Sequence, residues 1–134
     1  MSANNYEDKS DKTFDSAELL FEKSHNNSSI HSYYYSCVQL INNFIVKHCG
    51  YTEAELIELT KDKESHNKTF TIVKEFLHNT GQNPVNAFSE LNLIKKQRIK
   101  ADYRMSFVVK NEAEVTRKKT IYFRQTLKSY DDEI

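Results

Sequence analysis

Three polar side chains near residue 100 have the types and spacing of a binding or catalytic site. Arg98, Asp102 and Tyr103 lie in the stretch QRIKADYRMSF, where a strongly apolar helical pattern ends. An arginine can bind a phosphate through two parallel N–H groups, an aspartate can orient that arginine, and a tyrosine can supply a stacking surface or a hydroxyl. On one helix face, Arg98 and Asp102 stand four residues apart and can pair. Periodicity alone favours a structural ion pair over a site.

A run of three tyrosines lies earlier in the chain, in the stretch SYYYSC. Successive residues of a helix point in different directions, so at most two of these rings face the same interior. We predict Tyr34 within the apolar stripe, Tyr33 at its edge, and Tyr35 facing solvent or a partner. Core packing is the simpler interpretation of Tyr34.

The other residues with chemical potential form no recognised motif. The five histidines make no HxxxH or HExxH arrangement and the two cysteines make no CxxC pair, so the sequence predicts no metal site. His66 lies on an apolar helix face, where a packed histidine is commoner than a ligand. Two glycines cannot build a phosphate-cradling loop, and no serine has the context of a hydrolase nucleophile. We predict no cofactor.

The elements that position these residues are predicted to be helices. The chain has 134 residues with two glycines and one proline, which leaves few turn residues for an all-β fold. Apolar residues recur at helical spacing. We predict an all-α, five-helix, up-and-down bundle at residues 13–130, with a flexible N-terminus at 1–12 and an acidic tail at 131–134. The predicted helices run from Asp15 or Ser16 to about residue 27, from Ser29 to Cys49, from Ser65 to Asn79, from the Asn83 cap to Asp102 and from Asn111 to Tyr130, with a short helical turn in TEAELIEL.

The cysteines and the hydropathy indicate a compartment. Cys37 and Cys49 are twelve residues apart on one predicted helix, so they cannot form a disulfide with each other. Reduced thiols are typical of cytosolic proteins. The sequence has no charged-then-apolar leader and no apolar run of membrane length. We predict a cytoplasmic protein with no membrane partner.

Charge is unevenly distributed, although the formal net charge is zero. Residues 91–130 contain eleven basic and three acidic residues, and the rest of the chain carries the balancing negative charge. One interpretation is a basic face that meets phosphates. The simpler one is that the two parts neutralise each other in the folded domain.

Three stretches, taken in order, resemble the HEPN family (higher-eukaryote and prokaryote nucleotide-binding) in its small stand-alone prokaryotic form. SYYYSC matches the family's small-Tyr-Tyr-small signature, and ESHNKTFTIVKEF matches the segment in which a Ser-His pair opens the third helix. LIKKQRIKADY matches an Arg-x-x-Ala-Asp-Tyr helix end, and an amphipathic last helix follows at the usual distance. The resemblance covers about residues 16–128.

This resemblance implies a five-helix bundle that forms a homodimer, with its polar residues near the subunit interface. Many HEPN proteins are metal-independent ribonucleases, often toxins or antiviral effectors, which use an arginine and a histidine shortly after it. Arg98 matches the arginine, but Ile99 stands where a polar residue is common, and the histidine positions hold Tyr103, Arg104 and Met105. Metal-free RNA cleavage needs a group that moves protons near neutral pH, and neither tyrosine nor arginine does so unperturbed.

Three functional hypotheses follow. The first is a catalytically degenerate HEPN domain that binds RNA, a nucleotide or a protein partner in a toxin–antitoxin or phage-defence context. Its binding residues are Arg98, Asp102, Tyr103, Tyr33, Tyr34, His66 and Arg104. The second is an active metal-independent endoribonuclease with Arg98, Asp102 and His66 as catalytic residues, His66 replacing the missing histidine. The third is a structural or regulatory dimer module, an antitoxin-like partner of a neighbouring gene's product.

Overall fold

A computed structural model describes residues 2–62, 65–105 and 107–134. Within these ranges the chain forms helices and no strand, which confirms the predicted all-α helical bundle. The described helices number six rather than five, because the short turn predicted in TEAELIEL is a separate helix. They are α1 Ser2–Glu22, α2 Asn26–His48, α3 Glu53–Leu59, α4 Ser65–Asn79, α5 Val85–Tyr103 and α6 Lys110–Glu133.

Several helix ends follow local signals in the sequence. At α3, the Thr52 side chain accepts the Glu55 N–H, and the Glu55 carboxylate accepts the Thr52 N–H, which is the reciprocal arrangement of a capping box. α4 stops where Gly81 adopts a φ of +87°, a conformation that strains residues with a Cβ. At the start of α5, the Val85 N–H donates to Asn83 Oδ1 over 3.1 Å. These ends lie close to their predicted positions.

Helix α2 occupies the centre of the bundle, since it contacts each of the other five helices. Buried residues are spread around α2 instead of along one stripe, and they include Ile30, Cys37, Ile41 and Phe44. A helix that is apolar on most of its faces belongs inside a fold. Two sides of α2 therefore meet different neighbours, and this arrangement decides where each residue of SYYYSC points.

The first helix begins much earlier than the sequence analysis predicted. We expected a start at Asp15 or Ser16 after twelve flexible residues, but α1 begins at Ser2. The buried Ser10 hydroxyl donates to the Ser36 carbonyl oxygen over 2.6 Å. The Arg124 guanidinium of α6 donates to Ser10 Oγ and also to an Asp11 carboxylate oxygen, the latter over 2.7 Å. These distant partners hold the polar segment against the bundle, so the predicted boundary was wrong.

The last helix also extends beyond its predicted limits. α6 begins at Lys110, one residue before the predicted Asn111, and the Val109 N–H donates to Glu112 Oε1 at this end. Its far end reaches Glu133, and the predicted acidic tail is therefore largely helical. Asp131 accepts hydrogen bonds from His48 Nε2 and from Lys47 Nζ, which ties α6 to the end of α2.

Candidate functional site

Arg98 of α5 lies at the centre of a group of aromatic and ionisable side chains that we call the Arg98 cluster. Its other members are Asp102 and Tyr103 of α5, His31, Tyr34 and Tyr35 of α2, and His66 of α4. The guanidinium carbon is 4.9 Å from the Tyr34 ring centre and 5.6 Å from those of Tyr35 and Tyr103. Such contacts stabilise a cation in a partly desolvated place. Arg98 itself is only 8% exposed.

The hydrogen bonds of the Arg98 guanidinium are incomplete. Its NH1 group donates to the Tyr103 hydroxyl over 3.3 Å and lies 3.7 Å from Asp102 Oδ2, which is the predicted i,i+4 pair in a loose form. Its Nε atom is buried and has no hydrogen-bond partner among the described residues. A buried donor left without an acceptor costs free energy. The Nε–H therefore keeps a hydrogen-bonding capacity that no described residue uses.

Asp102 is held more closely by His31 than by Arg98. His31 Nδ1 donates to Asp102 Oδ2 over 2.8 Å, and about half of the His31 side chain is exposed. The contact draws the carboxylate away from the guanidinium and orients the imidazole ring. The result is an aspartate-oriented histidine at the protein surface.

On its buried side, the cluster continues to His66. The Tyr34 hydroxyl lies 2.7 Å from His66 Nδ1. Partial burial, together with the positive charges of Arg98 and Lys95, lowers the pKa of His66 below its usual value. The ring is therefore neutral at pH 7, and in the tautomer with its proton on Nε2 it accepts the tyrosine hydroxyl at Nδ1. Burial also raises the pKa of the Tyr34 hydroxyl.

The protonation of His66 makes the stability of the fold depend on pH. An unfolded histidine has a pKa of about 6.5, whereas the folded His66 has a lower one. Between those two values the unfolded chain binds more protons, so the free energy of unfolding is expected to decrease as the pH falls below about 6.5. Urea unfolding at pH 7.5, 6.5 and 5.5 measures this slope. His66→Gln should show a shallower one, because the other histidines are common to both proteins; equal slopes would contradict the assignment.

Tyr33 does not join the Arg98 cluster, contrary to the prediction. It is fully buried on another side of α2, where its hydroxyl donates to Glu18 of α1. Arg117 of α6 donates to both oxygens of the same carboxylate, over 2.7 and 3.1 Å. Adjacent helical residues point about 100° apart, and α2 separates the two sides. Tyr33 thus belongs to a structural contact between α1, α2 and α6.

Two members of the cluster were missed or placed wrongly by sequence reasoning. Tyr35 was predicted to face solvent or a partner, but its half-buried ring packs against His31, with 4.7 Å between ring centres, and against Tyr34 and His66. His31 was not selected at all. The spacing of His31, Tyr34 and Tyr35, at i, i+3 and i+4, places them on one helix face, and that signal was available.

Arg104 lies outside the cluster, at the exposed end of α5. It lines a shallow groove of about 440 Å³ together with Lys96, Ile99 and Lys100. Four basic residues of α6 are placed differently, because they pair with acids of the first ninety residues: Arg117 with Glu18, Lys119 with Glu90, and both Arg124 and Lys128 with Asp11. The two parts of the chain therefore neutralise each other along α6.

A solvent-filled groove opens beside the cluster. It has a volume of about 500 Å³ and is lined by Asn27, Ser28, His31 and Ser32 of α2 and by Ala101, Asp102 and Tyr103 of α5. A second groove of about 450 Å³ adjoins it, since Asn27 and Ser28 line both. The Arg98–Asp102–His31 row thus ends at an open surface rather than inside a sealed core.

Comparison with known proteins finds no family model, no curated protein and no solved structure that matches this chain. The HEPN assignment stays a prediction from the three motifs. Each of those motifs supplies a side chain to the Arg98 cluster, namely Tyr34, His66 and Arg98.

Three further observations concern metal binding, membrane spanning and the cysteines. Among residues 2–62, 65–105 and 107–134, no three His, Cys, Asp or Glu side chains are grouped so as to hold a metal ion. In the described part of the chain, no helix is both long and apolar enough to cross a membrane. Cys37 and Cys49 are free thiols.

Proposed function

We propose that this chain is a HEPN-type domain that binds RNA at the Arg98 cluster and has lost the family's usual catalytic histidine. The observation that carries the proposal is the incompletely paired Arg98 guanidinium, which contacts two residues that line an open groove, Asp102 and Tyr103. Aromatic rings surround that cation, and polar side chains line the groove. Phosphate oxygens and unstacked bases are the groups that suit such a surface.

The electrostatics of the cluster favour an anionic ligand. Asp102 shares its charge between His31 and Arg98, and the closer contact is the one with His31. The guanidinium therefore keeps positive charge that a phosphate can satisfy through charge-assisted hydrogen bonds. Tyr103 covers the guanidinium but is itself 72% exposed. Because the Tyr103 ring is mostly exposed, it can change position without disturbing the core.

The salt dependence of RNA binding tests this function. Fluorescence anisotropy with a labelled single-stranded oligonucleotide is expected to show an affinity that falls roughly tenfold between about 50 and 200 mM salt, as for two or three neutralised phosphates. If the protein binds no RNA at low salt, the proposal is wrong.

A second candidate function, metal-independent RNA cleavage, is favoured by one observation. The His31–Asp102 pair supplies, from α2, the imidazole that the sequence lacks after Arg98. His31 is better placed for this role than His66, because His31 lines the groove while His66 Nδ1 is occupied by Tyr34. In this ribonuclease hypothesis, His31 transfers the proton that the cleavage step requires. Arg98 stabilises the negative charge that develops on the phosphate.

Cleavage of RNA in the presence of EDTA decides between the two functions. Activity that His31→Asn and Arg98→Ala both abolish, and that His66→Gln largely keeps, supports the ribonuclease. Binding without cleavage by the wild-type protein supports the degenerate domain.

The third hypothesis, a dimeric partner of another protein, makes a separate prediction. A homodimer in sedimentation and a protein complex that survives Arg98→Ala would support it. Loss of that complex in the same variant would place the Arg98 cluster at the contact instead.

A further inference from the structure

The connection between α5 and α6 displays apolar side chains to solvent. Met105 is fully exposed, Phe107 is 88% exposed, and Tyr103 precedes them at the end of α5. Large apolar groups gathered on a surface are typical of binding sites. The fold keeps these side chains exposed, because hydrogen bonds hold the backbone of the connection in place.

Two asparagines of α2 hold this connection in place. The Asn27 amide donates to the Ala101 carbonyl oxygen over 2.9 Å, and its oxygen accepts the Val108 N–H over 3.0 Å. Asn26 donates to the Val108 carbonyl oxygen over 3.2 Å, and the Val108 side chain is buried. With Val108 anchored, its neighbour Phe107 is presented at a defined position beside the start of α2.

The two adjoining grooves share Asn27 and Ser28, and each is lined by one exposed aromatic ring. Tyr103 lines the groove beside Asp102 and His31, and Phe107 lines the other beside His25 and Asn26. Ser28 lines both grooves, and its hydroxyl can donate or accept hydrogen bonds. Tyr103 and Phe107 are four residues apart, so their Cα atoms are separated by at most about 14 Å. That span suits a short run of neighbouring bases.

A basic side chain lies next to this surface in sequence. Arg104 follows Tyr103 directly and lines a separate groove with Lys96 and Lys100, of which Lys100 is paired with Glu112. The acid at the groove, Asp102, is already engaged by His31 and Arg98. Exposed aromatic rings with a basic side chain beside them are a combination that binds single strands, because every base has a face that stacks.

We propose that the ligand is single-stranded RNA lying along the two grooves, with bases stacked on Tyr103 and Phe107 and the backbone against Arg104. The proposal rests on the RNA-binding function inferred above and specifies its substrate class. A duplex cannot be accommodated in the same way, because its base faces are stacked on one another.

A tryptophan placed at residue 107 tests the stacking contact directly. The chain contains no tryptophan, so Phe107→Trp introduces a single fluorophore and keeps an aromatic ring at the site. Single-stranded RNA is expected to quench its emission and to bind with nearly wild-type affinity, whereas a duplex of the same length leaves the emission unchanged. Phe107→Ser should weaken single-strand binding roughly 5- to 100-fold, the range for loss of one stacked base.

The controls separate this inference from the function on which it rests. Ile57→Ser removes another exposed apolar side chain, from α3, and should leave RNA binding unchanged. If RNA binds in an Arg98-dependent manner but neither quenches the tryptophan nor responds to Phe107→Ser, the strand path is wrong and the function stands. If the wild-type protein binds no RNA, both fail. A shift of the tryptophan emission by anionic lipid vesicles, without a response to RNA, would also overturn the proposal.

Discussion

Replacing Arg98 with alanine is expected to weaken RNA binding by roughly 10- to 100-fold at low salt, the range for losing charge-assisted hydrogen bonds. The guanidinium is the only cation of the cluster that touches three aromatic rings in the described residues, so no neighbour replaces it. The variant should also show a smaller salt dependence, because it neutralises one phosphate fewer. Anisotropy titrations at several salt concentrations measure both effects.

Two companion variants make the Arg98 result interpretable. Arg98→Lys keeps the charge but loses the planar fork and its stacking, so its affinity is expected to lie between those of the wild type and the alanine variant. Lys118→Ala removes one exposed positive charge from α6 and serves as the matched control for a general charge effect. Because Asp102 retains His31 as a partner, the alanine variant should still fold, which its thermal unfolding verifies. A folded Arg98→Ala protein with wild-type affinity would remove RNA from this site.

Much of the Arg98 cluster could be predicted because its residues follow local rules. The i,i+4 spacing brings Arg98 and Asp102 together on α5, and the capping signals at Thr52 and Asn83 mark helix ends near their observed positions. Such signals depend only on neighbouring residues, so they can be read without knowledge of the tertiary structure.

What could not be predicted depends on contacts between distant parts of the chain. The start of α1 is held by Arg124, which is 114 residues from Ser10 in sequence, and no local pattern of the polar segment reveals that partner. Tyr33 was misplaced for a related reason. A helical wheel gives the direction of each side chain on α2, but it does not say which helices pack on each side. His31 was missed although its spacing from Tyr35 was visible, because its partner Asp102 lies on another helix.

The core that holds α2, α5 and α6 together leads to the largest expected effect on stability. Phe123 of α6 is fully buried, and its ring packs edge-on against that of Phe88 of α5, with 5.5 Å between ring centres. Phe123→Ala is therefore expected to lower the free energy of unfolding by about 3–5 kcal/mol, from lost burial and from the cavity that remains. Domains of this kind are stable by only about 5–15 kcal/mol, so this single change removes a large share.

Urea unfolding monitored by circular dichroism measures this loss, with the slope of the free energy against urea showing whether unfolding stays two-state. Tyr122→Ala is the matched control, because the adjacent aromatic is 42% exposed and its removal is expected to cost well under half as much. Phe123→Leu keeps most of the buried volume and should cost about 1–1.5 kcal/mol. Since Phe123 lies outside the Arg98 cluster, the leucine variant should bind RNA like the wild type. A loss of RNA binding by the folded leucine variant would show that the site depends on the packing between α5 and α6, and not only on the side chains that line the groove.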